Sequence, residues 1–383
     1  MDNLTHSLVG LAAAKSGLEK LSPGATTLCV LAANAPDVDV VLLAFTDRWT
    51  TLQNHRGITH AIVGVITLSI LLPLIFLGVD LLISKLKRRP LRVKFGGLML
   101  ASFLATATHP FLDWTNNYGL RPFLPWNSRW FYGDLVFIVD PFIWLLLGSA
   151  CFLLTTRTRV QKSIWIVIGV VSTLLILFTP RGGNLPYPWL IRGLWIAILI
   201  GLIVLYRTQF ASLGSRIPRA ALVLLVIYWT ALGFVHSRAL IRAREEAEKM
   251  KSTGETISRV VAMPTLANPL GWDCVFETDK ASYRFNLKLF NDSPVSRSVR
   301  YEKPTGKTEQ ALEAISSDRR TKIFLGFARF PVVKLADPDC TTQTLVQLAD
   351  LRYTEPGTSR GNFSLELPVD CTLIGAQASW PAR

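Results

Sequence analysis

The stretch HRGITHAIVGVITLSILLPLIFLGVDLLISKLKRR, from His55 to Arg89, sets the terms for the rest of the chain. Between Gly57 and Ile83 it is apolar for longer than the roughly 20 residues that carry a helix across about 30 Å of hydrocarbon. Its far end is basic, with Lys85, Lys87, Arg88 and Arg89, and its near end carries two histidines, His55 and His60. One segment therefore predicts a membrane span, an orientation and a candidate site.

Five further runs of the same kind follow, at Phe95 to Leu112, Leu135 to Leu154, Ile164 to Phe178, Leu190 to Tyr206 and Ala220 to Val235. The chain is 383 residues long, 50% hydrophobic and 18% charged, whereas soluble domains are about a quarter charged. A soluble enzyme is excluded on that ground. The net charge of +14 first admits a nucleic-acid partner, but +11 of it falls before His236, between apolar runs, and +3 in the polar tail. A nucleic-acid binder would present its bases on one polar face, so no such partner is expected.

The bases also sort by side. Twelve lie in the loops after spans one, three and five, among them Arg92, Lys94, Arg157, Arg159, Lys162, Arg207, Arg216 and Arg219. Six lie opposite, at Arg48, Arg56, Arg121, Arg129, Arg181 and Arg192. By the positive-inside rule the first set is cytoplasmic. Trp49, Trp114, Trp126, Trp130, Tyr132, Tyr187 and Trp189 gather on the other side, as an interfacial belt would.

The first 45 residues lack a basic n-region and do not read as a signal peptide. They read as a helix from Leu4 to Ala14, then a short apolar segment from Ala25 to Ala33 ending in Asn34-Ala35-Pro36-Asp37-Val38-Asp39. Nine residues cannot span, so a re-entrant hairpin packed against the spans is expected. The fold expected for residues 1–236 is thus an all-α polytopic membrane domain of about six spans plus this hairpin.

Residues 237–256 read as a charged linker helix, and 257–383 as a small β-rich soluble domain, extracytoplasmic by the span count. Its strand signals are the alternation from Tyr283 to Leu289, Ile323 to Val333 and Phe363 to Leu367, with one helix at Thr308 to Ser317. Cys29 and Cys151 read as small buried residues. Among Cys274, Cys340 and Cys371 an oxidising compartment permits one disulfide, whose pairing the sequence leaves open.

The polar residues within the apolar part carry the function. His109 and Asp113, four apart, share one helix face and both could ligate one metal. His55 and His60 flank Gly57, and Asp37 and Asp39 alternate after Pro36; His6 follows Thr5. A lone interfacial histidine is usually just solvated, but these four elements reach one surface by the topology above, and ionisable groups at membrane depth are functional candidates. Mixed imidazole and carboxylate suits Zn²⁺ best, with Mn²⁺ or Fe as alternatives. Asp140, before Pro141, reads as a second proton-handling or ligand carboxylate, and Arg56 and Arg121 as clamps for an anionic substrate group. Asn116, Asn117 and Tyr118 read as pocket lining or as a turn.

At these residues the chain resembles the YdjM-type family of membrane-bound, metal-dependent hydrolases. The matching pieces are Asp2-Asn3-Leu4-Thr5-His6-Ser7-Leu8-Val9-Gly10, Asn34 to Asp39, His55 to His60, and His109 to Asp113 with Tyr118-Gly119. That family is distantly similar to zinc-dependent phospholipase C and the zinc nucleases. By position, the resemblance implies metal ligands at His6, Asp37 or Asp39, His55 or His60, His109 and Asp113. The second HxxxE/D pair of those enzymes is missing, which implies one or two metals. The resemblance also implies a multi-pass protein of the bacterial inner membrane.

The expected function is a metallohydrolase that cleaves a lipid or lipid-linked phosphoester at the outer face, with Asp39 or Asp140 taking the proton. The alternative is a non-catalytic envelope protein whose metal staples the hairpin to the spans while the β domain binds a partner. Transport fits poorly, because spans four to six hold almost no ionisable residue to form a pathway.

Overall fold

Asp2 starts the helical part: its carboxylate accepts from the Thr5 N–H at 2.9 Å, satisfying an orphan donor in the first turn of α1 (Asn3–Lys15). The computed structural model describes residues 1–178, 188–208, 210–291, 295–358 and 361–374. The chain divides into two units. One comprises Met1–Asp39, Arg56–His236 and Pro264–Gly271; the other comprises Val40–His55, Ser237–Met263 and Trp272–Arg383. Arg181 and Tyr187, read above as extracytoplasmic, lie outside the described residues.

In the helical unit α1 is followed by α2 (Ala25–Asn34), the two expected arms of the hairpin. They approach so closely that a Cβ on Gly10 would lie 2.6 Å from the Cys29 carbonyl oxygen, so only glycine fits there. Ala14, Ala25, Leu28, Cys29 and Ala32 then pack against Leu98, Ala101 and Ala105 of α6 (Phe95–Trp114). A 3-10 turn at Ala35–Asp37 leads into α3 (Val38–Leu43), and α4 (Arg48–Asn54) falls in the other unit.

Three helices among the described residues are long and apolar enough to cross a membrane: α5 (Ile62–Leu86), α6 and α10 (Arg216–Met250). They leave large apolar side chains bare, among them Ile66, Ile70, Leu74, Val79 and Leu82 on α5 and Val223 and Ile227 on α10. Exposure of that extent calls for a lipid solvent. The expectation was about six spans, and the described residues give three helices of that kind. α7 (Pro141–Thr155) has 15 residues, about 22 Å at 1.5 Å per residue, because Asp140 caps it and starts the helix later than the apolar run does. α8 (Arg159–Phe178) and α9 (Pro188–Arg207) have 20 residues each.

One charge inside a span has a structural explanation. Asp80 on α5 accepts from Arg89 Nη2 at 2.6 Å and from the Arg92 and Val93 amides at 2.7 and 3.0 Å. It closes the basic turn between α5 and α6. The last span and the charged linker form one continuous helix, α10, whose tail is laced by ion pairs such as Arg242 with Glu245 and Glu246.

The other unit holds a four-stranded sheet, β1 (Ile257–Thr265), β2 (Asn268–Thr278), β3 (Ala281–Lys288) and β4 (Val295–Glu302), hydrogen-bonded in that order. A second sheet joins β5 (Pro331–Leu335), β6 (Gln343–Asp350) and β7 (Ser364–Asp370) antiparallel. Val261, Met263 and Val275 share a core with Phe330, Val332, Ala349 and Leu351, so the sheets are built on common apolar contacts. The predicted helix is α11 (Lys307–Ala314). The strand expected over Ile323 to Val333 is half wrong: α12 (Arg319–Phe327) takes its first half, because Asp318 caps the Arg320 N–H and Thr321, Phe324 and Phe327 fall on one buried face. Arg319 of α12 donates to Thr50 Oγ1 of α4 at 2.6 Å, within the same unit.

Cys340 and Cys371 form the disulfide, and Cys274 is buried and free. The bridge spans 31 residues of sequence and ties the loop before β6 to the end of β7. Removing a native bridge costs about 2–5 kcal/mol in small secreted domains. Cys340→Ser is therefore expected to lower the denaturation midpoint of this unit, and Cys274→Ser to leave non-reducing peptide mass maps unchanged. A map that pairs Cys274 with either partner would contradict this assignment.

Candidate metal centre

Three elements bring the acids and imidazoles together. The 3-10 turn after α2 supplies Asp37, a second 3-10 turn at Ile58–His60 supplies His60, and the last turns of α6 supply His109 and Asp113. One ligand atom from each of these four residues lies within 4.8 Å of all the others, a group that can hold a metal ion. Gly64 makes the second turn possible: a Cβ there would lie 2.0 Å from the Ile58 carbonyl oxygen, so the first turn of α5 sits directly on the backbone that carries His60.

The orientation of each ring follows from its outer nitrogen. His109 Nδ1 is 2.7 Å from the Ala33 carbonyl oxygen, which only accepts, so Nδ1 holds the proton and Nε2 faces inward. His60 Nδ1 lies 3.0 Å from Thr59 Oγ1 and 3.5 Å from Asp39 Oδ2, while Thr59 itself donates to Asp39. That chain places the His60 proton outward too. The two Nε2 atoms meet at 3.1 Å. Around them stand Asp37 Oδ1, 3.4 Å from His60 and 3.5 Å from His109, and Asp113 Oδ2, 3.3 and 3.4 Å away.

Each carboxylate is likewise held by one oxygen and turned inward by the other. Asp37 Oδ2 accepts from Asn3 Nδ2 at 3.1 Å. Asp113 Oδ1 pairs with Arg56 Nη2 at 3.1 Å and with the Met1 nitrogen, and Oδ2 accepts no hydrogen bond. Four lone-pair centres thus converge on one point, three of them on buried residues. Acceptors in that arrangement are favoured by a cation among them, and outer-shell bonds to a carbonyl, a hydroxyl and a carboxamide are the usual supports of metal ligands. The residues fit a divalent ion.

His6, from α1, completes the wall. Its ring stacks on His109 with centroids 3.7 Å apart, it is fully buried, and neither ring nitrogen makes a hydrogen bond. Its Nε2 is 3.5 Å from Asp113 Oδ1. His6 is therefore placed beside the four-residue group and not in it.

The other expected residues fall as follows. Asp39 supports His60 and accepts the Arg56 N–H at 3.0 Å. Of the two histidines around Gly57, His60 belongs to the four-residue group; His55 is the C-cap residue of α4. Asp140 has a different role from the catalytic one expected: Oδ1 accepts the Phe142 and Ile143 amides and Oδ2 the Tyr228 hydroxyl, at 2.8, 3.3 and 2.9 Å. It is a helix cap tied to α10. Arg121 lies over the Trp130 ring at 4.6 Å. Arg56 is buried rather than presented to a substrate. Besides Asp113 it donates to Asn116 Oδ1 at 3.0 Å and the Gly119 carbonyl at 3.1 Å, and it covers the Tyr118 ring. Its φ of 53° is unusual for a side chain of that size, and these bonds hold it there. Asn3 and Thr59, supporting residues not singled out from the sequence, stand in the motif stretches beside His6 and His60.

Burial sets the charge states. It is the main cause that pushes His60 down to about 3, and it also lowers His6 well below the ordinary histidine range. Burial alone would raise Asp37, but the His109 and His60 rings beside it outweigh this and hold it well below the usual carboxylate range. The site at neutral pH is therefore anionic carboxylate and neutral imidazole, the forms that bind metal.

Residues 1–184 match the family profile described as YdjM inner membrane protein. A relative, the uncharacterized protein YfhP of Bacillus subtilis (strain 168), is 31% identical over 156 residues, 38% of this chain and 43% of that protein. The matched stretch thus spans less than half of the relative's length. No solved structure matches the chain.

A pH dependence follows from the buried histidines. An unfolded chain protonates them near pH 6.5, whereas folded His60 resists to about 3. Between those values the unfolded state binds more protons, so stability falls as pH drops, by at most about 1.4 kcal/mol per pH unit for each histidine. Thermal unfolding of metal-free protein in detergent is expected to show a lower Tm near pH 5 than near pH 7.5, and His60→Gln to flatten the difference.

Proposed function

We propose, taking the YdjM match over the helical half as premise, that this chain is an integral-membrane metallohydrolase of phosphoesters. The observation that carries the reading is the facing pair of His60 and His109 Nε2 atoms, 3.1 Å apart, between two inward carboxylate oxygens. Asp37, His60, His109 and Asp113 would hold the ion, with Zn²⁺ the best fit to two imidazoles and two carboxylates and Mn²⁺ or Fe less so. Such an ion, when bound, polarises a phosphoryl oxygen and acidifies water toward a pKa of about 7.

The chain's own groups have separable tasks. Ala33 and Asn3 orient His109 and Asp37. Thr59 and Asp39 orient His60, and Asp39, outside the ligand set, is the carboxylate we assign to accept the proton of the attacking water. Arg56 neutralises Asp113 and holds the Asn116–Gly119 loop. Arg121, which lies over the Trp130 ring, is the cation proposed to meet an anionic substrate. The leaving alkoxide regains the proton, so the products are an alcohol and a phosphate. A lipid or lipid-linked phosphoester is the proposed class, because the ligands sit at the ends of apolar helices.

A second reading is favoured by one observation: His6, His60, His109 and Asp113 are essentially inaccessible, as in closed structural metal sites. In that case the ion staples the two 3-10 turns to the end of α6. Asp37, whose side chain retains 12% exposure, is the most open of the four ligands. Elemental analysis of protein extracted in mild detergent, followed by a panel of phosphoesters with Zn²⁺ and Mn²⁺, separates the readings. The enzyme reading expects bound metal and turnover, with at least about a hundredfold loss in Asp39→Asn and metal retained. Metal without turnover on any phosphoester would leave the staple, and absence of metal would sink both.

Orientation is part of the proposal. The Lys85–Lys94 turn is assigned to the cytoplasm, with the metal cluster and the β unit on the outer side. Cysteines introduced at Lys87 and Asn127 are expected to react with an impermeant maleimide only at position 127 in intact cells. Labelling at position 87 would invert the placement.

A further inference from the structure

In the helical unit, α1, α7, α8 and α9 line a half-open cavity of about 230 Å³. Its walls include Leu4 and Leu8 of α1, Trp144 and Phe152 of α7, Trp165 of α8 and Trp195 of α9. From Trp144 to Phe152 it follows α7 for about 12 Å.

The lining offers almost nothing to a polar occupant. The three indole N–H groups are already donated elsewhere: Trp144 to Thr5 Oγ1 at 3.0 Å and Asp2 Oδ1 at 3.1 Å, Trp165 to Thr155 Oγ1 at 2.8 Å, and Trp195 to Thr173 Oγ1 at 3.0 Å. Ser149 donates to the Leu145 carbonyl of its own helix. A water needs two to four polar partners, and an apolar cavity of about 150 Å³ stays dry and takes up hydrocarbon instead. The surrounding solvent, on the membrane reading, is itself hydrocarbon.

The cavity also adjoins the metal cluster. Its upper wall, Trp144, bonds Asp2, and the neighbouring Met1 nitrogen touches Asp113. α1 is the partition: Leu4 and Leu8 stand two residues either side of His6, about 200° around the helix from it.

We infer that this cavity holds one aliphatic chain drawn from the bilayer. Resting on the metallohydrolase reading, the substrate is then an amphiphile whose chain lies along α7 while its polar end rounds the first turn of α1 to the metal cluster.

The test uses the full chain in nanodiscs with palmitic acid carrying a mid-chain diazirine. Crosslinks are expected on peptides containing Trp144–Phe152 and Trp195–Ile203, in excess over the lipid-facing Val223–Ile227 of α10. Gly148→Leu and Gly169→Leu fill the cavity from positions where a Cβ meets nothing closer than 4.0 Å, and each is expected to cut the cavity label about tenfold with the α10 label unchanged. Label that is no greater in the cavity than on α10, or unmoved by both substitutions, overturns the site. Hexadecyl phosphate is expected to compete about tenfold better with Zn²⁺ than without, and equal competition overturns the link to the cluster. Metal analysis of the same sample keeps the readings apart: cavity label without bound metal removes the metallohydrolase reading, and with it that link, while the hydrocarbon site stands.

Discussion

Two imidazole nitrogens bare their lone pairs to each other across 3.1 Å, with a carboxylate oxygen on either side. Much of the helical unit is arranged around that confrontation. Removing such groups from water is costly unless each is bonded or a cation stands among them. The structure supplies the outer bonds completely: a carbonyl for His109, a hydroxyl and Asp39 for His60, Asn3 for Asp37, Arg56 for Asp113. It leaves the inner atoms facing one another. An arrangement supported so fully from outside and so poorly from within is built for an inner guest.

The short elements make sense in that light. α1 and α2 are too short to span, and their close contact at Gly10 gives little apolar gain compared with a full membrane helix. What they deliver is position: α1 carries His6 and Asn3, and α2 ends where Ala33 meets His109 and the chain turns into Asp37. Around this polar centre, α5 and α10 turn apolar side chains outward. The polarity of a soluble domain is reversed, with charge inside and hydrocarbon outside, as a lipid solvent demands.

How much of this was legible from the residues alone can be judged one at a time. His109 and Asp113 were readable because a spacing of four is geometry within one helix. That Asp37 and His60 would join them needed only the turn residues Pro36 and Gly57 to bring them inward. How His60 meets His109 was not readable. The backbone before it turns at Arg56, left-handed and held by bonds to Asp39, Asn116 and Gly119 that are distant in sequence. Asp140, expected as a proton-handling or ligand carboxylate, caps α7, and an Asp followed by Pro before an apolar run is itself a capping signal. The same omission, at Asp318, turned the start of α12 into an expected strand. The cavity had no sequence signal at all, since tryptophans far apart in the chain become its walls only when α7, α8 and α9 are in place.

The charge excess takes its meaning from the same structure. Lys85 to Lys94 lie at the end of α5 opposite His60, so the basic turn and the acidic cluster occupy the two ends of one helix. Asp80 shows that the basic end is also organised, with Arg89 and two backbone amides gathered on one carboxylate. In the proposed orientation, positive loops at one end set which way the helix faces, and the ligand turns at its other end lie on the opposite side. Arg56 is the exception among the bases: it sits with the cluster because Asp113 requires a counter-charge there, and its guanidinium is consumed in doing so. The cations that orient the chain and the cation that completes the site are therefore different residues under different constraints, and a total of +14 carries information only once it is divided between them.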